Sequence, residues 1–593
     1  MWDSNGLVVL ILVGCLVGAI FGDRYNEELT ISRLPTNALL ANFRFTIDSD
    51  GDKLGPDYHL FPRLVAEMIK SHDIAELELA FAQGRWRLDE WGLQTQPAIP
   101  TGAHLIAWIN GKNESAIDAE WTNLVDSLNG IFCSSISSIS KHLTASPKQT
   151  LKMNGVKKEN GKMMQVRYGA VPEESLCTEN LTPWRKLLPC KSDGLISLLN
   201  PYSIYATTYS TMGLNVIRLC QEKTCHWRLN AHISVVFETS LEALEAGILF
   251  DTLFKRDLAG RCSVAESSRL LIRKGNDEID FSPSPKSIHG EGHHSYAIFD
   301  LKDKDLDLRK VEFTYKNVDA SRREPAIGIF TVQGGVDQQS GTLKTRIINS
   351  DRGSKTVTLM HILPWFMRIY YGSIQMKCQL LGGSRENVIP AVLSKNFKES
   401  LIRTSPSTIE WQFVLLHESM CEFEFEFDKA HMRIWDYPPD ANHGMYAAGA
   451  LLVIDDKEGR LHNHRPILGD YVNSAYEQLT NPTLPYPLSY SVFSNPILVS
   501  LPVPDFSMPF NVICFVLTVV SFCISPVLRY TTSMIMITDG VTLEKNRGRN
   551  LVRVLLLGLC GLAIYAQVNE MSTSDIRRKI EELFRKLNDM GSM

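Results

Sequence analysis

The chain lacks the short signals that mark a self-sufficient enzyme or a nucleic-acid binder. Among its 593 residues there is no phosphate-cradling Gly-x-x-x-x-Gly-Lys loop, no Gly-x-Ser-x-Gly nucleophile elbow and no His-Glu-x-x-His pair. The nearest approach to the last, His417-Glu418-Ser-Met-Cys421, lacks a second histidine that could share a helix face. Long runs of one charge are also missing. A net charge of -5, spread along the chain, removes the electrostatic footprint expected of a nucleic-acid partner. The length excludes a single hydrophobic core, so about two or three domains are expected.

Basic residues are absent from the first 22 positions, where only Asp3 is charged. The apolar run from Leu7 to Val13 continues through Val17 and Ala19 to Gly22. It is too short for a spanning helix and has the core and small-residue exit of a signal peptide, assigned to residues 1–22. A second run, Met508 to Leu528, carries no charge and is long enough at ~1.5 Å per residue to cross a hydrocarbon core of ~30 Å. It predicts a C-terminal transmembrane helix over 508–529. No Lys or Arg occurs from Ser489 to Ser507, whereas Arg529, Lys545, Arg547, Arg549 and Arg553 follow. The positive-inside rule then places the body in the lumen and the tail in the cytosol. Within the tail, 530–593, the apolar segment 554–566 is marginal for a second crossing, and 574–590 reads as a basic amphipathic helix.

Of 12 cysteines, Cys15 falls in the signal, and Cys514, Cys523 and Cys560 lie in apolar segments. Eight remain for the ectodomain: Cys133, Cys177, Cys190, Cys220, Cys225, Cys262, Cys378 and Cys421. An oxidising lumen permits disulfides among them, with pairing open. N-glycosylation sequons stand at Asn113 and Asn180, the second followed closely by Pro183.

Hydrophobic periodicity predicts an α+β fold that becomes mainly β. In 23–200, helical spacing at Phe61 to Ile69 and at Ala116 to Ile139 alternates with strand-like segments, giving a mixed N-terminal lobe. In 201–480, alternation at Ile233 to Phe237, Val311 to Tyr315, Ile409 to Leu415 and Cys421 to Phe427 predicts a β-sandwich-rich lobe. A helical interruption is expected at Ser240 to Phe254. The prolines and glycines of 282–294 read as a surface loop, and the seven prolines between Pro482 and Pro509 as a stiff stalk over 481–507.

Cys220, Cys225 and His226 lack a second ligand pair at zinc-finger spacing, so a short disulfide loop is the expectation and no metal or cofactor is assigned. A lumenal cysteine hydrolase, or a membrane-anchored adhesion or receptor ectodomain, stays as an alternative. Cys177 stands apart in a proline-rich, charged segment. Spacing alone favours an internal bond for it.

The run Cys177-Thr-Glu-Asn-Leu-Thr-Pro-Trp184-Arg-Lys-Leu-Leu-Pro-Cys190 resembles the PIG-T family, a subunit of the glycosylphosphatidylinositol (GPI) transamidase. Tyr58-His-Leu-Phe-Pro62, Gly130-Ile-Phe-Cys133, Tyr296-Ala-Ile-Phe-Asp-Leu301, Asn442-His-Gly444 and Pro504-Asp-Phe-Ser-Met-Pro-Phe-Asn-Val-Ile-Cys514 extend the likeness to the apolar anchor. The resemblance implies a non-catalytic scaffold in the endoplasmic reticulum membrane, in a complex that joins GPI lipid to proprotein substrates. It also implies that Cys177 forms a disulfide with the caspase-like catalytic subunit PIG-K, reversing the expectation from spacing. Beside the anchor, Pro509 and Asn511 become candidates for contact with lipid and other membrane subunits. An ordinary solvated helix end is the alternative for Asn511. The tail departs from the short cytosolic end that the family implies.

Overall fold

The computed structural model describes residues 22–532 apart from 53, 56–58, 94–97, 140–142, 157–160, 222–223, 276, 291, 293–294, 304–305, 307–310, 317–326, 336–338, 382–386, 439, 456–471, 482–488 and 503–506. The expected signal peptide and the two tail segments, 554–566 and 574–590, therefore lie outside the described residues. The chain divides into two compact units between Val503 and Pro504.

A ten-stranded sheet forms the first lobe of the larger unit. Its spatial order is Ser287–His289, Tyr296–Asp300, Ser267–Arg273, Arg24–Arg33, Leu39–Asp48, Thr224–Phe237, Tyr209–Gln221, Ile74–Gln83, Gly102–Gly111 and Met163–Val171. The first strand in sequence thus lies inside the sheet, antiparallel to Leu39–Asp48 and parallel to Ser267–Arg273. Leu39–Asp48 is buried at every position because both faces of the sheet are covered. Its Phe43, Phe45 and Ile47 join the main core. The opposite face carries polar residues that bond to each other: Arg44 Nη2 donates to Asn230 Oδ1 at 3.2 Å, and Ser234 Oγ donates to Asn42 Oδ1 at 2.8 Å.

The main core closes under helices Arg63–Ser71, Glu114–Phe132 and Thr178–Lys186. In the longest, Ile117, Trp121, Leu124, Val125, Leu128 and Phe132 repeat at helical spacing and are buried, as the sequence predicts. The segment 240–254 holds two short helices, Leu241–Ala246 and Phe250–Phe254, broken at Gly247. Gly247 adopts φ +98°, and a Cβ there would meet the Glu312 carboxylate, so the single helical run expected from spacing cannot continue.

A sandwich follows. One sheet orders Ile327–Gly334, Ser340–Asn349, Ser419–Lys429, Gln375–Leu380 and Asn387–Val388. The other orders Val392–Lys398, Ser407–Leu415, Lys355–Leu363, Leu451–Asp455 and Ser489–Phe493. Cys421, Phe423, Phe425 and Phe427 point into the core between them, while Glu422, Glu424 and Glu426 alternate outward.

Three expected boundaries move. The division at residue 200 does not exist, because strands up to Asp300 complete the first sheet and the sandwich begins at Ile327. Inside the expected loop 282–294, Ser287–His289 pairs with Tyr296–Asp300 as an edge strand. The stalk over 481–507 is replaced in part by sheet: Ser489–Phe493 pairs with Leu451–Asp455, and Ile497–Val499 with Met445–Ala447. Tyr490, Val492, Ile497 and Val499 gain burial there, which outweighs the extended preference of the neighbouring prolines.

A carboxylate clamps the lobes together. Glu410, on Ser407–Leu415, accepts from the backbone N–H groups of Lys148, Gln149 and Thr150, from Thr150 Oγ1 and from Asn396 Nδ2, at 2.7 to 3.0 Å. Burial alone would raise its pKa. The donors, Lys148 and Gln149 foremost, outweigh burial and hold it below the usual carboxylate value.

Candidate functional site

Cys177 is the N-cap of helix Thr178–Lys186 and stands in extended conformation at φ -142°. Three residues on, Asn180 answers it: the Asn180 Oδ1 accepts from the Cys177 backbone N–H at 3.0 Å and from its thiol at 3.1 Å. The amide nitrogen of Asn180 points the other way and donates to the Phe132 carbonyl at 2.8 Å. That carbonyl precedes Cys133, which ends helix Glu114–Phe132 in left-handed conformation at φ 49°. Asn180 thereby ties the start of one helix to the end of another.

The rest of the helix is fixed from beneath. Leu181 and Trp184 are buried on one face, and the Trp184 ring meets Phe45 edge-on at 5.9 Å. Its indole N–H donates to the Gly213 carbonyl at 3.0 Å. A side chain at 213 has no room, since a Cβ would lie 2.2 Å from the His232 ring. Beyond the helix, Cys190 is disulfide-bonded to Cys262. Tyr205 Oη donates to the Cys177 carbonyl at 2.7 Å, and burial, with Cys177 beside it, pushes that phenol above its ordinary pKa. Cys177 itself is half-buried, with Thr178 and Glu179 exposed next to it and Tyr202 open to solvent. The result is a half-buried thiol on a ledge held from beneath by packing and hydrogen bonds.

Cysteine pairing sharpens the picture. Of the eight cysteines from Cys133 to Cys421, six form Cys190–Cys262, Cys220–Cys225 and Cys378–Cys421, and Cys133 and Cys177 remain free. The internal bond that spacing favoured for Cys177 is therefore not formed. Cys220–Cys225 closes the hairpin between Tyr209–Gln221 and Thr224–Phe237, which uses the thiols considered as metal ligands.

The two sequons differ in surroundings. Asn113 is exposed and caps helix Glu114–Phe132 through its Oδ1, which accepts from the Ala116 N–H at 2.8 Å. Asn180 has no exposed surface, and its Nδ2 is spent on Phe132. The expectation of a glycan on Asn180 is corrected on these grounds, because the folded protein uses that nitrogen as an internal donor. Its capping role was missed at the sequence level, although the three-residue spacing from Cys177 is the spacing of a capping box.

In the second unit, helix Ser507–Thr532 contains one stretch, Phe510–Thr532, apolar and long enough to cross a membrane, with a mean hydropathy of 2.3. Thr518 and Thr531 satisfy their hydroxyls on the carbonyls of Cys514 and Val527. Pro509 falls in the first turn, where proline is tolerated, and Asn511 is exposed.

Comparison with known proteins agrees with this arrangement. The family model for the Gpi16 subunit, a GPI transamidase component, matches residues 8–248 and 242–553. GPI-anchor transamidase component PIGT of Homo sapiens is 30% identical over 557 residues, covering 87% of this chain and 92% of the relative. The Mus musculus protein of the same name is 30% identical over 551 residues, covering 87% and 91%. GPI transamidase component GPI16 of Saccharomyces cerevisiae is 26% identical over 556 residues, covering 84% and 86%. With matches that run through the Cys177 ledge, both lobes and the apolar helix, the chain belongs to the Gpi16 family, the family of PIG-T.

Proposed function

We propose that this chain is a non-catalytic scaffold subunit of GPI transamidase, held in the endoplasmic reticulum membrane by helix Ser507–Thr532 with its two lobes in the lumen. The observation that carries this reading is the family match across nearly the whole chain. Cys177 is its covalent attachment point for the caspase-like catalytic subunit PIG-K. In support, Cys177 is free, half-buried and held by Asn180 and Tyr205, whereas six other ectodomain cysteines are paired within the chain.

A covalent tie keeps two subunits at high effective concentration whatever the strength of their non-covalent interface. The Cys177 backbone, held at the helix start by Asn180 and Tyr205, loses little further freedom when its sulfur is bonded, which favours a durable link over a transient one. The thiol's hydrogen-bond partner is an amide oxygen rather than a base, which supports the reading that transamidation chemistry belongs to the other subunit. Pro509 and Asn511, at the start of the membrane helix, are the contacts proposed for GPI lipid and for the remaining membrane subunits. Asn113 is the glycan acceptor.

Replacing Cys177 by serine in cells tests the reading. The interchain band on a non-reducing gel is expected to disappear while transamidation falls but persists, and Cys133→Ser is expected to leave the band intact. Complete loss of transamidation from an otherwise intact Cys177→Ser complex overturns the scaffold role in favour of a catalytic cysteine on this chain.

A further inference from the structure

The second lobe carries an apolar tip that is left exposed among the described residues. Leu401, Ile402 and Ile434 are each 60% exposed and Trp435 is 73% exposed. Every other tryptophan from Trp86 to Trp411 is buried or half-buried. Exposure on this scale in four adjoining large residues exceeds the scattered apolar groups of an ordinary surface.

These residues form one patch because ion pairing staples their two segments together. Arg403 follows Ile402 in a turn at φ 58°, and its Nε lies 3.0 and 2.8 Å from the two carboxylate oxygens of Asp436, the neighbour of Trp435. The Arg403 guanidinium also lies 5.0 Å from the Trp365 ring, so the staple is anchored in the sandwich. Arg433 lies 5.7 Å over the Trp435 ring, and Lys398 is exposed at the end of the strand leading to the turn.

Chain connectivity limits how far the tip can lie from the apolar helix. Tyr437, two residues beyond Trp435, donates its Oη to the Pro502 carbonyl at 2.6 Å. The apolar helix begins at Ser507, five residues later. A fully extended chain gains ~3.3–3.6 Å per residue, so Pro502 lies no more than about 18 Å from the first turn of that helix. The Tyr437 end of the tip is thereby tethered within reach of the helix start, whatever the orientation of the lobe.

We propose that Leu401, Ile402, Ile434 and Trp435 insert into the lumenal face of the bilayer as a second attachment beside the membrane helix; this rests on reading Ser507–Thr532 as a membrane span. Aliphatic side chains enter the upper acyl region, the indole sits at the headgroup level, and Arg433 and Lys398 meet lipid phosphates. Such a foot removes the lobe's freedom to swing about the linker. It fixes the height of the Cys177-bearing protein over the membrane, which a transamidase acting on membrane-embedded substrates needs.

Trp435 supplies its own probe. The full chain is placed in nanodiscs of plain or acyl-brominated phosphatidylcholine, and the emission difference between wild type and Trp435→Phe isolates the Trp435 indole. Retention of the chain in the discs first establishes the membrane helix. The Trp435 component is expected to be quenched by brominated lipid, and Ile402→Asp with Ile434→Asp is expected to abolish that quenching while the near-ultraviolet circular dichroism keeps its folded form. Unquenched Trp435 emission from chain retained in the discs overturns the proposal. A Trp435 blue shift that arises only on assembly with the other subunits overturns it too, and assigns the tip to a protein contact.

Discussion

Asn180 and Cys177 complete each other: one amide oxygen accepts both the backbone N–H and the thiol of the cysteine, while the amide nitrogen holds the neighbouring helix through Phe132. The consequence is a glycosylation motif that is structurally occupied. Asn113→Gln is expected to remove one glycan, seen as a mobility step lost on endoglycosidase treatment. Asn180→Gln is expected to leave the glycan number unchanged and instead to destabilise the cap by about 1–2 kcal/mol, read by chemical denaturation. A glycosidase-sensitive step lost from the Asn180 variant refutes this assignment.

Glu410 makes a second prediction. Glutamine there turns an amide NH2 toward backbone donors and leaves at least one buried group unpaired, at a cost of about 1–3 kcal/mol. Because its folded-state pKa is depressed, the stability it contributes is present above the usual carboxylate value of 4.5 and is lost as pH falls through the lower folded value. The stability gap between wild type and Glu410→Gln is therefore expected to narrow below pH 4.5, measured by urea unfolding across pH. A constant gap contradicts the clamp.

Loop length ranks the disulfides. Cys190–Cys262 closes a sequence separation of 72 residues and Cys220–Cys225 one of 5. Chain-entropy arguments assign a contribution of roughly 4 kcal/mol to the first and roughly 2 kcal/mol to the second. Paired serine variants are expected to follow that order in thermal unfolding. Only the Cys190/Cys262 pair is expected also to weaken the interchain band, since it secures the end of the Cys177 helix.

Buried histidines add an acid-sensitive element. His361 lies wholly inside the sandwich, its Nε2 3.0 Å from Thr345 Oγ1 and its ring stacked 5.7 Å from Phe423, and burial lowers its pKa to about 3. A base with a depressed folded pKa gives full stability above its unfolded value near 6.5, and loses it as pH falls toward 3. The advantage of wild type over His361→Gln is expected to shrink by about 1.4 kcal/mol per pH unit through that window. Unfolding curves at several pH values test it, and a pH-independent difference rules it out.

Strand alternation was legible wherever one face is dry and the other wet, and Cys421 to Phe427 is the clearest case. It failed to give the boundary at residue 200, because the sheet's inner strands are covered on both faces and local periodicity carries no record of which distant strand is the neighbour. The proline-rich segment before the apolar helix misled for a related reason. Proline limits local conformation, but Tyr490, Val492, Ile497 and Val499 gain more from burial in a core built far upstream. At the site, Cys177 was visible as an unusual cysteine in its segment. Its free state depended on pairings such as Cys190 with Cys262, which spacing left open.

The position of Arg24–Arg33 has a consequence for biogenesis. This strand is the first in sequence among those described, yet its parallel neighbour Ser267–Arg273 is synthesised some 240 residues later, and Glu28 accepts from the backbone of Ala475 and Tyr476 nearer still to the end. Contacts so distant in sequence pay their loop-closure cost before they return any stability, which slows folding. The leading strand must therefore wait, with one edge unpaired, until most of the chain has been synthesised. That interval is when a chaperone has the longest access to it, and when truncation of the protein's far end is felt at its beginning.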